Sequence, residues 1–110
     1  MNQQHILLVE DEPAVAKILR IKLEEAGFQV TVAVNGKEGL DRRADGGVDL
    51  ILLDLLMPVM NGFQVLEALQ KKQNSTPVIV LTNLGQKDDI EQIQKFGPID
   101  YLIKSDTPLT

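Results

Sequence analysis

Apolar residues fall along this chain in two alternating rhythms. The run "HILLVE", His5 to Glu10, is compact and aliphatic, as expected of a strand buried on both faces. In "DEPAVAKILRIKLEEAG" the apolar residues return at helical spacing, and Val15, Ile18, Leu19, Leu23 and Ala26 share one predicted face. Acidic residues precede Pro13 in its first turn, and Gly27 supplies a left-handed stop. "FQVTVAV", Phe28 to Val34, alternates and is β-branched, which predicts a strand less completely covered than the first. "NGKEGLDRRADGG" predicts a short, weakly amphipathic helix between Asn35-Gly36 and Gly46-Gly47. "DLILLD" reads as a third strand, and "NGFQVLEALQKKQ" as a helix with Val65, Leu66 and Leu69 inward. "TPVIVLT" is a fourth strand, "QKDDIEQIQKFG" a fourth helix ended by Gly97, and "IDYLIK", Ile99 to Lys104, a fifth strand.

Strict alternation of strand and helix with short loops predicts an α/β fold. Its strands are parallel, its crossovers right-handed, and helices cover both faces of an open sheet. After the fifth strand only "SDTPLT" remains. Ser105 or Asp106 suits a helix cap and Pro108 a first turn, but an average helix of ~11 residues does not fit there. The expectation is a single domain over residues 1–110, with its last helix truncated or missing. The sequence shows no repeat, low-complexity tract or linker.

Composition narrows this picture. At 110 residues, 44% hydrophobic and 25% charged, the chain is an ordinary globular domain with enough length for one core. Without cysteine there is neither a disulfide framework nor a thiolate metal site. No signal-like segment opens the chain, and Asp54 and Pro58 interrupt its longest apolar stretch. The expected setting is cytoplasmic, with no membrane partner. The net charge of −5 opposes direct binding to nucleic acid, which needs clustered Lys and Arg.

Ligands of open parallel sheets bind outside the carboxyl ends of the strands. The first strand ends in Glu10-Asp11, the third in Asp54, the fourth in Thr82 and the fifth in Lys104. Three carboxylates, a hydroxyl and an ammonium thus converge on one edge. The acids repel one another unless a cation is present, and an all-oxygen set without His or Cys suits a hard ion such as Mg²⁺. A carboxylate can also act as a nucleophile and form an acyl phosphate. Phosphoryl transfer then asks mainly for positioning and charge neutralisation.

Each residue has a plainer reading as well. Glu10, Asp11 and Glu12 suit a helix N-terminus as well as they suit a metal. Asp54 alone could cap the following turn, although a lone acid inside so apolar a run favours function. Taken singly, Thr82 reads as a strand residue, Lys104 as solvated and Tyr101 as core or boundary packing. His5 reads as structural. Joint placement makes the functional case. Competing ligands of this fold class are disfavoured: no Walker loop is present, no G-x-G-x-x-G follows the first strand, and "VEDEPA" would repel a flavin or dinucleotide phosphate.

Taken in order, "LLVEDEP", "DLILLDLLMPVMNG", "TPVIVLT" and "DYLIK" resemble the receiver domain of bacterial two-component response regulators. The likeness covers essentially the whole chain, and "D-x-x-M-P-x-M-x-G" around Asp54 is its most specific part. The resemblance implies a flavodoxin-like, CheY-like sheet of order 2-1-3-4-5. Asp54 would be the phosphoacceptor, charged by a histidine kinase, a phosphotransfer protein or a small phosphodonor. Asp11 would ligate Mg²⁺ directly and Glu10 through water, with Asp54 and the backbone carbonyl of Leu56 completing the set. Lys104 and Thr82 would contact the phosphoryl oxygens, and Tyr101 would turn inward as Thr82 moves. Phosphoryl contacts would then bias a two-state equilibrium.

Departures from the family pattern carry their own implications. Ser105 follows Lys104 where the family usually has Pro, so a trans peptide is expected there. Asn83 replaces a small residue and narrows access to Asp54. Leu56 and Leu84, both apolar, imply slow self-dephosphorylation. A missing fifth helix would expose apolar surface on the first, third and fifth strands and favour a homodimer through that face. Two readings from other classes stand beside the phosphoacceptor. One is an atypical receiver that acts as an interaction module without phosphorylation. The other is a phosphatase of similar topology, for which Leu56 stands where a second acid is expected.

Overall fold

The structure, a computed structural model, describes residues 3–55, 60–72, 75–82, 87–96 and 100–103, without the side chains of 82, 87–90 and 102–103. The order of elements is β1 (His5–Val9), α1 (Pro13–Glu25), β2 (Gln29–Ala33), α2 (Gly36–Ala44), β3 (Leu50–Asp54), α3 (Gly62–Lys71), β4 (Val78–Thr82), α4 (Lys87–Gln94) and β5 (Asp100–Ile103). The strands form one parallel sheet in the order β2-β1-β3-β4-β5. Each expected element is present. The strands are shorter than the predicted runs by a residue or more: β1 ends at Val9 rather than Glu10, and β3 begins at Leu50 rather than Asp49.

Alternation along each strand divides the core in two. Leu7, Val9, Ile51, Leu53 and Val80 point to one side, where Leu40 of α2, Val65, Leu66 and Leu69 of α3 and Ile93 of α4 pack on them. Ile6, Leu8, Leu52 and Leu81 point to the other, against Ala16, Leu19 and Leu23 of α1. Central strands covered on both sides need apolar residues at every position, hence "ILLV" and "LILL". β2 is an edge strand and shows only partial burial along most of its length.

The first helix ends as its sequence predicts. Gly27 adopts φ +101°, and the Gly27 and Phe28 N–H groups donate to the Glu24 and Leu23 carbonyls at 3.0 and 3.1 Å. This Schellman pairing lets Phe28 fold back into the cluster that holds Leu23. Its inward face differs from the expected one. Ala16 is its buried centre, flanked by Leu19 and Leu23, whereas Ile18 is 39% exposed and Ala26 is also exposed. At about 100° per residue, Ile18 lies about 200° around the helix from Ala16 and so points away from the sheet.

A missing last helix is expected to expose apolar surface on the first, third and fifth strands; on the first and third, Ile6, Leu8 and Leu52 are buried. The small Ala16 belongs to the cluster that covers them, and Leu19, Leu23 and Phe28 pack against it. Residues 104–110, on which the expectation of a missing helix rests, lie outside the described residues, as does Gly97. His5 is structural: its N–H donates to Asp49 Oδ2 at 2.7 Å, while ring Nδ1 and Nε2 lie 3.0 Å from the Gly47 carbonyl and 2.7 Å from Thr31 Oγ1. A neutral ring that donates from Nδ1 and accepts at Nε2 satisfies both. No helix among the described residues is long and apolar enough to cross a membrane.

This division of the core predicts unequal costs for similar truncations. Leu53→Ala, at the centre of the larger cluster, should cost about 2–5 kcal/mol in urea unfolding. Ile18→Ala should fall within about 0.5 kcal/mol of the parent chain.

Candidate functional site

Two neighbouring central strands deliver the site. β1 ends at Val9, and the next N–H, of Glu10, still donates to the Ala33 carbonyl at 3.0 Å. Glu10 is therefore held at the rim of the sheet and is 1% exposed. β3 ends one strand over in Asp54, which is paired with Leu81 and 3% exposed. Asp11 follows Glu10 in the turn before α1. One carboxylate oxygen from each of Glu10, Asp11 and Asp54 lies within 4.8 Å of the others.

Such crowding of like charges next to an apolar core is costly without a compensating partner. Oδ1 of Asp11 is buried and has no hydrogen-bond partner among the described residues. Glu12, which occupies the N-cap of α1, makes no side-chain capping bond. Glu10 Oε2 accepts from the Glu12 N–H over a long 3.4 Å. Three oxygen donors, one of them an orphaned buried atom, fit a hard divalent cation.

Gly62, the last residue of the D-x-x-M-P-x-M-x-G motif, packs back against the end of β3. Leu55 N–H donates to the Leu81 carbonyl at 3.2 Å, and Gly62 N–H to the Leu55 carbonyl at 2.8 Å. A Cβ on Gly62 would come to 2.7 Å from both the Asp54 carbonyl oxygen and Leu55 Cα, so only glycine permits this approach. Asn61 and Gln64 form a capping box: Asn61 N–H donates to Gln64 Oε1 at 2.9 Å and Gln64 N–H to Asn61 Oδ1 at 3.0 Å. The available signal was "NGFQ", a capping residue three places before Gln.

Of the other expected site residues, Thr82 closes β4 at the same edge, and its side chain is not described. Tyr101 lies on β5 opposite Val80 and is 37% exposed, so it sits at a boundary rather than in the core. Leu56, Asn83, Leu84, Lys104 and Ser105 lie outside the described residues.

The family model for the response regulator receiver domain matches residues 6–108. This chain belongs to the response regulator receiver family. The receiver is 43% identical over 104 residues to the transcriptional regulatory protein YkoG of Bacillus subtilis (strain 168), a match covering 94% of this chain and 46% of that protein. Its structure is similar to the receiver domain of Francisella response regulator 1452, with a TM-score of 0.87 and 35% identity over 96% of this chain and 87% of that one. It is also similar to response regulator TrrA of Thermotoga maritima in complex with Mg²⁺–BeF, with a TM-score of 0.83 and 30% identity over 96% and 90% of the two chains. The chain spans less than half the length of the first curated relatives that it matches. The fold is CheY-like and its class is that of a two-component signalling domain.

Backbone crowding at the Asp54 turn predicts that Gly62→Ala destabilises this receiver by about 1–3 kcal/mol, although alanine favours helices. Chemical unfolding of the two proteins measures the difference.

Proposed function

We propose that this receiver is a phosphoacceptor, in which Asp54 takes a phosphoryl group in a Mg²⁺-dependent reaction and shifts the conformation of the domain. The observation that carries the reading is the convergence of Glu10, Asp11 and Asp54, with a partnerless buried oxygen on Asp11. The relative solved with Mg²⁺ and BeF supports the same assignment. Asp11 and Asp54 would hold the ion directly and Glu10 through water, with the Leu56 carbonyl as the further oxygen the family pattern implies. When bound, the ion supplies charge neutralisation for the carboxylates and the phosphoryl oxygens.

An Asp54 carboxylate oxygen forms the bond to phosphorus while the bond to the donor breaks, and the electron pair leaves with the donor. The donor is the phosphohistidine of a histidine kinase or phosphotransfer protein, or a small phosphodonor. Thr82 and Lys104 hold the phosphoryl oxygens, and Tyr101 responds to Thr82. Leu56, Asn83 and Leu84 tune the access of water and donor. The chain catalyses only its own phosphorylation and dephosphorylation. Residues 1–110 act as one domain in the cytoplasm, without binding membrane or nucleic acid directly. A homodimer is compatible with this role. Relatives named as transcriptional regulatory proteins are more than twice as long as the stretch this chain matches.

Incubation with Mg²⁺ and phosphoramidate, followed by intact-mass measurement, should show one added phosphoryl group that disappears in Asp54→Asn. Absence of any adduct would favour an interaction module, and turnover of donor without an adduct would favour a phosphatase. Mg²⁺ at about a hundred times its Kd should raise stability by about 2.7 kcal/mol. Thermal unfolding should show most of that gain lost in Asp11→Asn.

A further inference from the structure

Beside the carboxylate cluster, a groove of about 290 Å³ runs between α1 and β2. We propose that this groove binds the leaving group of short-chain acyl phosphates and makes the receiver favour donors with an apolar acyl chain. The inference rests on the phosphoacceptor reading above. Its first support is continuity: Glu10 and Asp11 line the groove and also belong to the cluster with Asp54. A phosphoryl group bound at the cluster therefore has the groove next to it.

The walls indicate what is attached to that phosphoryl group. Ala16 of α1 is buried, Val32 is half-buried, and Val34, just past β2, is 53% exposed. These apolar atoms offer a ligand little hydrogen bonding but do offer burial of methylene groups. Lys17 and Arg20, both exposed, bring positive charge to the groove in a chain of net charge −5. Arg20 already faces Glu24 at 3.8 Å, so Lys17 is the better placed of the two for a ligand. Cation, apolar wall and phosphoryl end together match a carboxylic acid joined to phosphate. They do not match phosphoramidate, which has no chain.

The chemistry balances without a further reactant. Asp54 forms a P–O bond, the bond from phosphorus to the acyl oxygen breaks, and the acyl group departs as a carboxylate with the electron pair. No proton moves and nothing is oxidised. One mixed anhydride replaces another, and the new negative charge develops on the side where Lys17 can stabilise it.

The test compares rates of Asp54 adduct formation by the full chain in Mg²⁺ with acetyl phosphate, butyryl phosphate and phosphoramidate. Butyryl phosphate is expected to react about fivefold faster than acetyl phosphate, as partial burial of two methylenes allows. Val34→Ser and Lys17→Gln should each lower the ratio of the butyryl phosphate rate to the phosphoramidate rate by about fivefold. Butyrate alone should shift the methyl resonances of Val32 and Val34 in the wild-type protein. Equal acetyl and butyryl rates, or ratios unchanged in both variants, would overturn the groove proposal while phosphoramidate labelling still upheld the phosphoacceptor. Failure of all three donors to label Asp54 would overturn both.

Discussion

Three carboxylates held within 4.8 Å of one another at the end of an apolar sheet are the constraint around which this molecule is arranged. Such a cluster opposes itself electrostatically, and two of its members are almost fully buried. It can be held only by a scaffold whose own stability comes from elsewhere. β1 and β3 provide that scaffold, because they are adjacent, parallel and covered on both sides. The same runs that supply the apolar core thus carry Glu10 and Asp54 to neighbouring positions on the rim.

Backbone packing does the finer positioning. Asp54 is the last residue of its strand, and α3, which begins at Gly62, covers the sheet. Gly62 allows that helix to begin against the Asp54 carbonyl, and the Asn61–Gln64 box satisfies the free N–H groups at its start. For the proposed phosphoacceptor, this fixed placement serves chemistry as well as stability, since a carboxylate nucleophile must meet phosphorus within a narrow range of approach. The opposite pole of the sheet has no comparable charge cluster among the described residues. There His5 bridges β2 and the turn before β3, a structural role for the lone histidine of the chain.

α1 serves both regions. Its inner face closes one half of the core through Ala16, Leu19 and Leu23, and its N-terminal end follows directly from Asp11. Packing a small residue at Ala16 brings helix and sheet together, and it also leaves a groove along the β2 edge. Lys17, Arg20 and Val34 border that groove rather than the core. The edge position of β2 is what leaves this side open, since no strand among the described residues lies beyond it.

Much of this was legible in the linear chain. Fully apolar runs reveal strands covered on both faces, Gly27 marks a helix end, and acids at the ends of separate strands point to one shared edge. These signals are local, or depend on the rule that parallel α/β sheets gather their ligands at one end. The direction of α1 was less legible, because Ile18 fits the helical period as well as Ala16 and only contact with the sheet selects between them. Gly62 stands in the motif around Asp54, but the reason it must be glycine is a backbone approach to Asp54, which spacing alone does not reveal. The sequence by itself determined the elements, their alternation and the chemistry available at the strand ends. Tertiary structure alone decided that Glu10, Asp11 and Asp54 lie within one ion's reach, because their distance depends on two strands separated in sequence pairing side by side.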